Sequence, residues 1–172
     1  MVIDTMLIVA LLICLYTDIR YKKIYNAVTF PAAMMGILSN TYMQGFGGGL
    51  NSLKGLLLGI ALLAVPFVLG GMGAGDVKLL GVIGALKGPE FVWAAFLATA
   101  LVGGLMSLIV MAKDKELGLR LKKVLFTVLS LFNIIPKINM LDSFEDASVL
   151  VFPYGIAITV GTMLTYFVRW LT

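Results

Sequence analysis

Apolar residues run along this chain in long stretches, separated by short segments that hold most of its charge. Residues 2–17 (VIDTMLIVALLICLYT) predict a first helix, closed by Asp18 and the basic stretch IRYKK. A second run, 27–43, contains Pro31 and leads into a glycine-rich, uncharged loop at 44–51. The third, roughly 53–71, is nearly all Leu, Gly, Ala, Ile and Val. GMGAGDVKLLGVIGALKG then predicts a turn at 71–75 and a short helix from Asp76 to about Lys87. Residues 90–112 form a fifth run that begins at Pro89-Glu90, and the last run covers 148–168. A helix needs about 20 apolar residues to cross about 30 Å of hydrocarbon. The expected fold class is therefore an all-α, polytopic transmembrane bundle of about six spans.

Composition agrees with this pattern. Of 172 residues 60% are apolar and 13% charged, where a soluble domain carries roughly 25% charged residues. Mean hydropathy is +1.04. No room is left for a second, soluble domain, so residues 1–172 are read as one membrane-embedded domain in contact with the lipid bilayer. Its largest polar interruption, 113–147, is expected to be a cytosolic loop carrying an amphipathic helix. Within it, 119–135 has a basic beginning and a twelve-residue apolar end, which fits an interfacial helix or a seventh span. Twelve residues are too few to cross alone, so the interfacial helix is favoured, with the C-terminus outside.

The net charge of +4 is modest, and the basic residues sit mainly at 20–23 and 113–123. Clusters that flank apolar runs set topology rather than bind nucleic acid. Placing Arg20, Lys22 and Lys23 in the cytosol puts the N-terminus and the uncharged 44–51 loop outside. The 113–123 cluster then falls on the cytosolic side without adjustment. The same threading brings Asp18 and the turn that holds Asp76 to that face.

Absences narrow the chemistry. The chain has no histidine, which excludes Ser-His and Cys-His nucleophile systems and a His-ligated metal. Its one cysteine, Cys14, lies in the first apolar run and reads as a small core residue. No metal or cofactor is expected. The N-terminus has Asp4 and no basic segment before the apolar run, so it reads as a retained span rather than a cleaved signal peptide.

Nine carboxylates remain. Asp4 and Glu90 fall at outer helix ends, and Asp114, Glu116, Asp142, Glu145 and Asp146 lie in polar segments. Asp18 and Asp76 each adjoin an apolar run on the cytosolic side. Taken singly, each has an ordinary explanation: Asp18 as a helix-end charge beside Arg20 and Lys22, Asp76 as an N-cap. Helix length alters the balance. From Asp76 to Gly88 a helix rises only about 20 Å, so Asp76 would sit below the cytosolic boundary. A carboxylate there is costly and is by default a functional candidate. Gly71, Gly73 and Gly75 would permit positive φ and let another backbone approach closely.

Two carboxyl groups meeting in a semi-dry site cannot both ionise easily and share one proton. The ionised member can then act as general base on water while the protonated one polarises a peptide carbonyl. That is aspartic-protease chemistry, which requires no histidine, cysteine or metal.

Three motifs support this reading by resemblance. Residues 73–78, Gly-Ala-Gly-Asp-Val-Lys, resemble the GxGDxK signature of the type IV prepilin and preflagellin peptidases. Residues 18–26 (DIRYKKIYN) resemble that family's first motif, and VFPYGIAI near the last run resembles its Pro-Tyr-Gly element. GxGD alone is a weak signal, whereas the ordered set across almost the whole chain is a strong one.

The resemblance implies that Asp18 and Asp76 form a catalytic dyad. It implies substrates that are pilin-like or flagellin-like precursors, cut on the cytosolic side between a short basic leader and a hydrophobic helix. Arg20, Asn26 and Lys78 match motif positions, and Gly73 and Gly75 shape the turn. Pro153, Tyr154 and Gly155 could border the site, against the plainer reading of a Pro-Gly break at a helix end. Tyr25 stands where the family usually has proline. Bifunctional members carry an additional four-cysteine zinc segment and methylate the mature N-terminus. One cysteine here points to a peptidase-only form, with methyltransferase activity not expected. The competing class is a non-enzymatic transporter or assembly scaffold with a buried carboxylate pair.

Overall fold

The computed structural model describes residues 2–69, 71–113 and 154–171. These residues form five helices: α1 Val2–Tyr21, α2 Asn26–Val68, α3 Ala74–Lys87, α4 Pro89–Lys113 and α5 Tyr154–Leu171. The all-α class therefore holds among the described residues. Three of these helices, α1, α2 and α4, are long and apolar enough to cross a membrane. The chain divides into two compact units, residues 1–104 with 153–172, and residues 105–152. Everything that follows concerns the first. The interfacial helix expected at 119–135, most of the 113–147 loop and Pro153 lie outside the described residues.

The 43-residue α2 would be about 64 Å long if straight, twice a hydrocarbon thickness. It is not straight. Gly45 has φ 69° and ψ −160°, a region open essentially to glycine alone, and there the helix doubles back. Residues 40 and 48 would be about 12 Å apart along a straight helix. A Cβ placed on Gly48 would instead fall onto the Asn40 carbonyl oxygen. This corrects the loop expected at 44–51. The reversal takes one residue, and just beyond it Gly48 and Gly49 lack the Cβ atoms that would strike Asn40 and Thr41 on the first arm.

Between these arms runs α3, whose residues 79–86 are all buried. A helix that is apolar on every side must be enclosed on every side, and the two arms of α2 supply much of that wall. The approach is backbone to backbone: a Cβ on Gly84 would collide with the Gly55 carbonyl, and one on Gly55 with that of Gly84. Polar side chains tie the contact. Asn40 Nδ2 donates to the carbonyls of Ala85 and Leu86 at 3.2 and 3.1 Å, and the Ser52 hydroxyl donates to the Ala85 carbonyl. These residues bond carbonyls of the last turn of α3, which lack helical partners.

One end of the unit is closed by charge. The Lys87 ammonium lies 2.7 Å from Asp4 Oδ1, which also accepts a hydrogen bond from the Tyr166 hydroxyl at 2.9 Å. The same ammonium faces the rings of Tyr166 and Phe91 at 4.7 and 5.3 Å. Arg169 reaches Glu90 at 3.4 Å. The start of α1, the end of α3, the start of α4 and the end of α5 therefore meet at one level. The opposite ends of α1, α3 and α5, with Asp18, Asp76 and Gly155, gather at the other.

Candidate active site

Asp18 sits in the last turn of α1, because the helix continues three residues beyond the expected boundary to Tyr21. It is 7% exposed, so it is no solvated helix-end charge. The Gly155 backbone N–H donates to Asp18 Oδ2 at 2.9 Å. A Cβ on Gly155 would lie 2.5 Å from that oxygen and 3.1 Å from Cγ. Only glycine lets the first turn of α5 come so close while still presenting an amide to the carboxylate.

Asp76 is 8% exposed. The helix begins earlier than the sequence pattern indicates, at Ala74, so Asp76 is not the N-cap but the third helical residue, with Gly73 as the cap. From there its Oδ2 reaches back to accept the Gly73 N–H at 3.2 Å. This is one half of a capping box, and an acidic group in a first helical turn also suits the helix dipole.

The expected positive φ in the turn is not found. Gly73 has φ −79°, and among the described residues the glycines with positive φ are Gly45 and Gly88. Gly75 serves close approach, but to this chain's own backbone segment at 23–25. A Cβ there would lie 2.8 Å from Ile24 Cβ. The glycine lets the start of α3 dock against the segment that links α1 to α2, and this docking brings Asp76 alongside Asp18.

The two aspartates line one cavity of about 370 Å³, together with Lys22, Lys23, Ile24, Tyr25, Asn26, Gly73, Ala74 and Gly75. Asp18 lies within electrostatic range of Asp76, and Asp76 within range of the Tyr154 hydroxyl. Each aspartate has Oδ2 fixed by a backbone amide. Neither Oδ1 has a hydrogen-bond partner among the described residues, so each carboxyl keeps one oxygen for a water or a substrate. Among those residues no three His, Cys, Asp or Glu side chains gather as a metal site would require.

The other residues singled out by motif divide. Asn26 lines the cavity, and its Oδ1 accepts a 2.8 Å hydrogen bond from Lys78 Nζ, which joins the start of α2 to α3. Tyr154 stands half-buried at the start of α5, its hydroxyl against Gly103 of α4. Arg20 is not brought to the site. It is exposed, 5.9 Å above the Tyr21 ring, and does not line the cavity. Lys22 and Lys23, which the sequence marks as topology charges with Lys22 also near Asp18, are among the residues that line the cavity. Their position four and five residues after Asp18 is the available signal. Lys22 also has φ 51° at the left-handed position that ends α1, a conformation costing a non-glycine residue about 1–2 kcal/mol.

A family model described as the type IV leader peptidase family matches residues 5–108. The chain belongs to that family. No curated protein and no solved structure matches it. Membership makes the chain a protease, and with its long apolar helices it is a multi-pass membrane protein. The matched region contains Asp18, Asn26, Asp76 and Lys78, whereas the Gly155 amide comes from outside it.

Proposed function

We propose that this chain is an aspartic endopeptidase of the peptidase-only kind. In this reading Asp18 and Asp76 together activate a water. It removes the short basic leader of a type IV pilin-like or archaeal flagellin-like precursor at the cytosolic membrane face. The observation that carries the reading is the shared cavity: two aspartates far apart in sequence, each nearly buried, each with one oxygen held by a backbone amide.

The reaction follows from that pairing. One carboxylate takes a proton from water as the oxygen attacks the scissile carbonyl, and the partner, protonated, donates to the developing oxyanion. Collapse of the tetrahedral intermediate breaks the C–N bond, and the proton held by the first aspartate passes to the departing amine. The dyad is restored when the second recovers its proton. Fixing Oδ2 of each residue beforehand leaves little reorganisation for the chemical step.

Six crossings fit the helices: α1, the two arms of α2, α3, α4 and α5. With 14 residues α3 rises only about 21 Å, so its first turn would lie beneath the cytosolic boundary. The outward-facing apolar surfaces of α1, α2 and α4 then meet lipid. The basic residues Arg20, Lys22 and Lys23 beside the cavity support a cytosolic side for it.

The test is cleavage by the purified chain of a precursor carrying a basic leader before a hydrophobic helix, with the product mass measured. A single cut at the junction of leader and helix supports the proposal. An intact precursor, with the chain folded and the bilayer present, supports the transporter or scaffold alternative.

A further inference from the structure

The charged cluster at the end opposite the cavity has no part in the chemistry above, yet it converges on one atom. Asp4 Oδ1 takes the Lys87 ammonium at 2.7 Å and the Tyr166 hydroxyl at 2.9 Å, and so joins α1 to both α3 and α5. The contact is sheltered: the Lys87 and Asp4 side chains are 22% and 37% exposed, against 52% and 88% for the neighbouring Arg169 and Glu90. The rings of Phe91 and Tyr166, packed edge to face at 5.0 Å, both face the same ammonium.

Each of the three joined helices carries a site group at its other end, and on the same face. An α-helix turns once in 3.6 residues. Asp76 and Lys87 on α3 are eleven residues apart, about three turns, and so are Gly155 and Tyr166 on α5. Asp4 and Asp18 on α1 are fourteen apart, about four turns, and the buried Leu7, Leu11 and Cys14 lie on the stripe between them. That stripe is apolar, and apolar contact is non-directional, so it tolerates small rotations of the helix. Lipid adds no hydrophobic drive to seat one helix on another. The polar groups at the two ends of α1 are what fix its rotation. By contrast α3 is held independently, by its backbone approach to α2 at Gly55 and Gly59, and is the reference against which α1 and α5 are set.

We infer that Asp4 is a positioning residue for the dyad: through Lys87 and Tyr166 it fixes the rotation of α1 and α5 against α3, and so the approach of Asp18 and the Gly155 amide to Asp76. The inference rests on the peptidase reading. With side chains about 5 Å from a helix axis, a rotation of about 10° carries a carboxyl about 1 Å. A displacement of that size at a reacting group costs about a hundredfold in rate. Asp4 itself lies far from the cavity and touches no substrate there, so its loss lowers kcat and leaves KM in place.

The experiment measures kcat and KM of the full chain in phosphatidylcholine nanodiscs, on one precursor with a basic leader and a hydrophobic helix, well below the melting temperature of every variant. Asp4→Leu removes the acceptor and should lower kcat about tenfold, with KM within about twofold. Tyr166→Phe deletes one hydroxyl, keeps the ring, and should lower kcat about threefold. The two combined should be no slower than Asp4→Leu alone, since the hydroxyl then has no acceptor to lose. Asp4→Asn keeps an oxygen in the same place and should stay within about twofold of wild type. Glu90→Gln, in the exposed pair at the same level, should leave both constants unchanged. A wild-type kcat in Asp4→Leu, a loss confined to KM or to melting temperature, or additive losses in the double variant would overturn the positioning role. So would an Asp4→Asn as slow as Asp4→Leu. Should Asp4→Leu fail to insert, Tyr166→Phe decides: a lowered kcat supports the role and an unchanged one overturns it. Failure of wild type to cut the precursor would instead overturn the peptidase reading on which the inference rests.

Discussion

Gly155 gives its backbone N–H to the carboxylate of Asp18 across 137 residues of sequence, at 2.9 Å, and has no room for a side chain while doing so. The relationship joins the last helix to the first at the level where Asp76 enters the same cavity. It also gives the Pro-Tyr-Gly element a physical purpose that a helix-end break would not have. The glycine is there to admit a carboxylate.

Gly155→Ala should therefore inactivate the protein without unfolding it. The added methyl keeps the amide but must displace the Asp18 carboxyl, from which it would stand 2.5 Å away. A displacement near 1 Å at a reacting group costs about a hundredfold in rate. Leader removal measured beside thermal melting in detergent checks this: the rate should fall by about that factor while the melting temperature shifts little.

Gly84→Ala should do the reverse. Its Cβ would collide with the Gly55 carbonyl, where α3 and α2 approach through backbone alone. Forcing volume into such a contact costs about 1–3 kcal/mol. Thermal unfolding should show the loss, with rates at low temperature reduced less than for Gly155→Ala.

The orientation can be read from two introduced cysteines. The native Cys14 is 1% exposed and should stay unlabelled. Lys23→Cys, on the cavity wall, should react with a membrane-impermeant thiol reagent only when the cytosolic face is open. Tyr42→Cys, 93% exposed beside the Gly45 reversal, should react from the opposite side. Labelling of both from one side would contradict the proposed threading.

Much of this arrangement was legible in the chain itself. Helical class, the short central helix and the shared face of Asp18 and Asp76 follow from apolar run lengths and from the placement of lysine and arginine. What could not be read was the use of the glycines. The stretch Gln-Gly-Phe-Gly-Gly-Gly reads as a loop by local preference, but packing of two helical arms overrides that preference and leaves one reversal at Gly45. Gly73 and Gly75 suggested a turn of positive φ, whereas the contact with Ile24 explains Gly75 instead. Long-range contacts such as Gly155 with Asp18, or Lys87 with Asp4, leave no local periodicity to detect. The sequence spacing brought Asp18 and Asp76 to one face, and only three-dimensional packing brought them to one cavity.

The most direct measurement of the central claim is the cleavage rate of one precursor by wild type, Asp18→Asn and Asp76→Asn at equal membrane-inserted amounts. Asparagine keeps the shape and the acceptor for the Gly155 or Gly73 amide, but cannot exchange the proton that the mechanism needs. Each single variant should lose at least about a thousandfold, with melting temperatures near wild type, and the double variant should lose little more than either alone. Processing by either single variant at a rate near wild type would contradict the dyad.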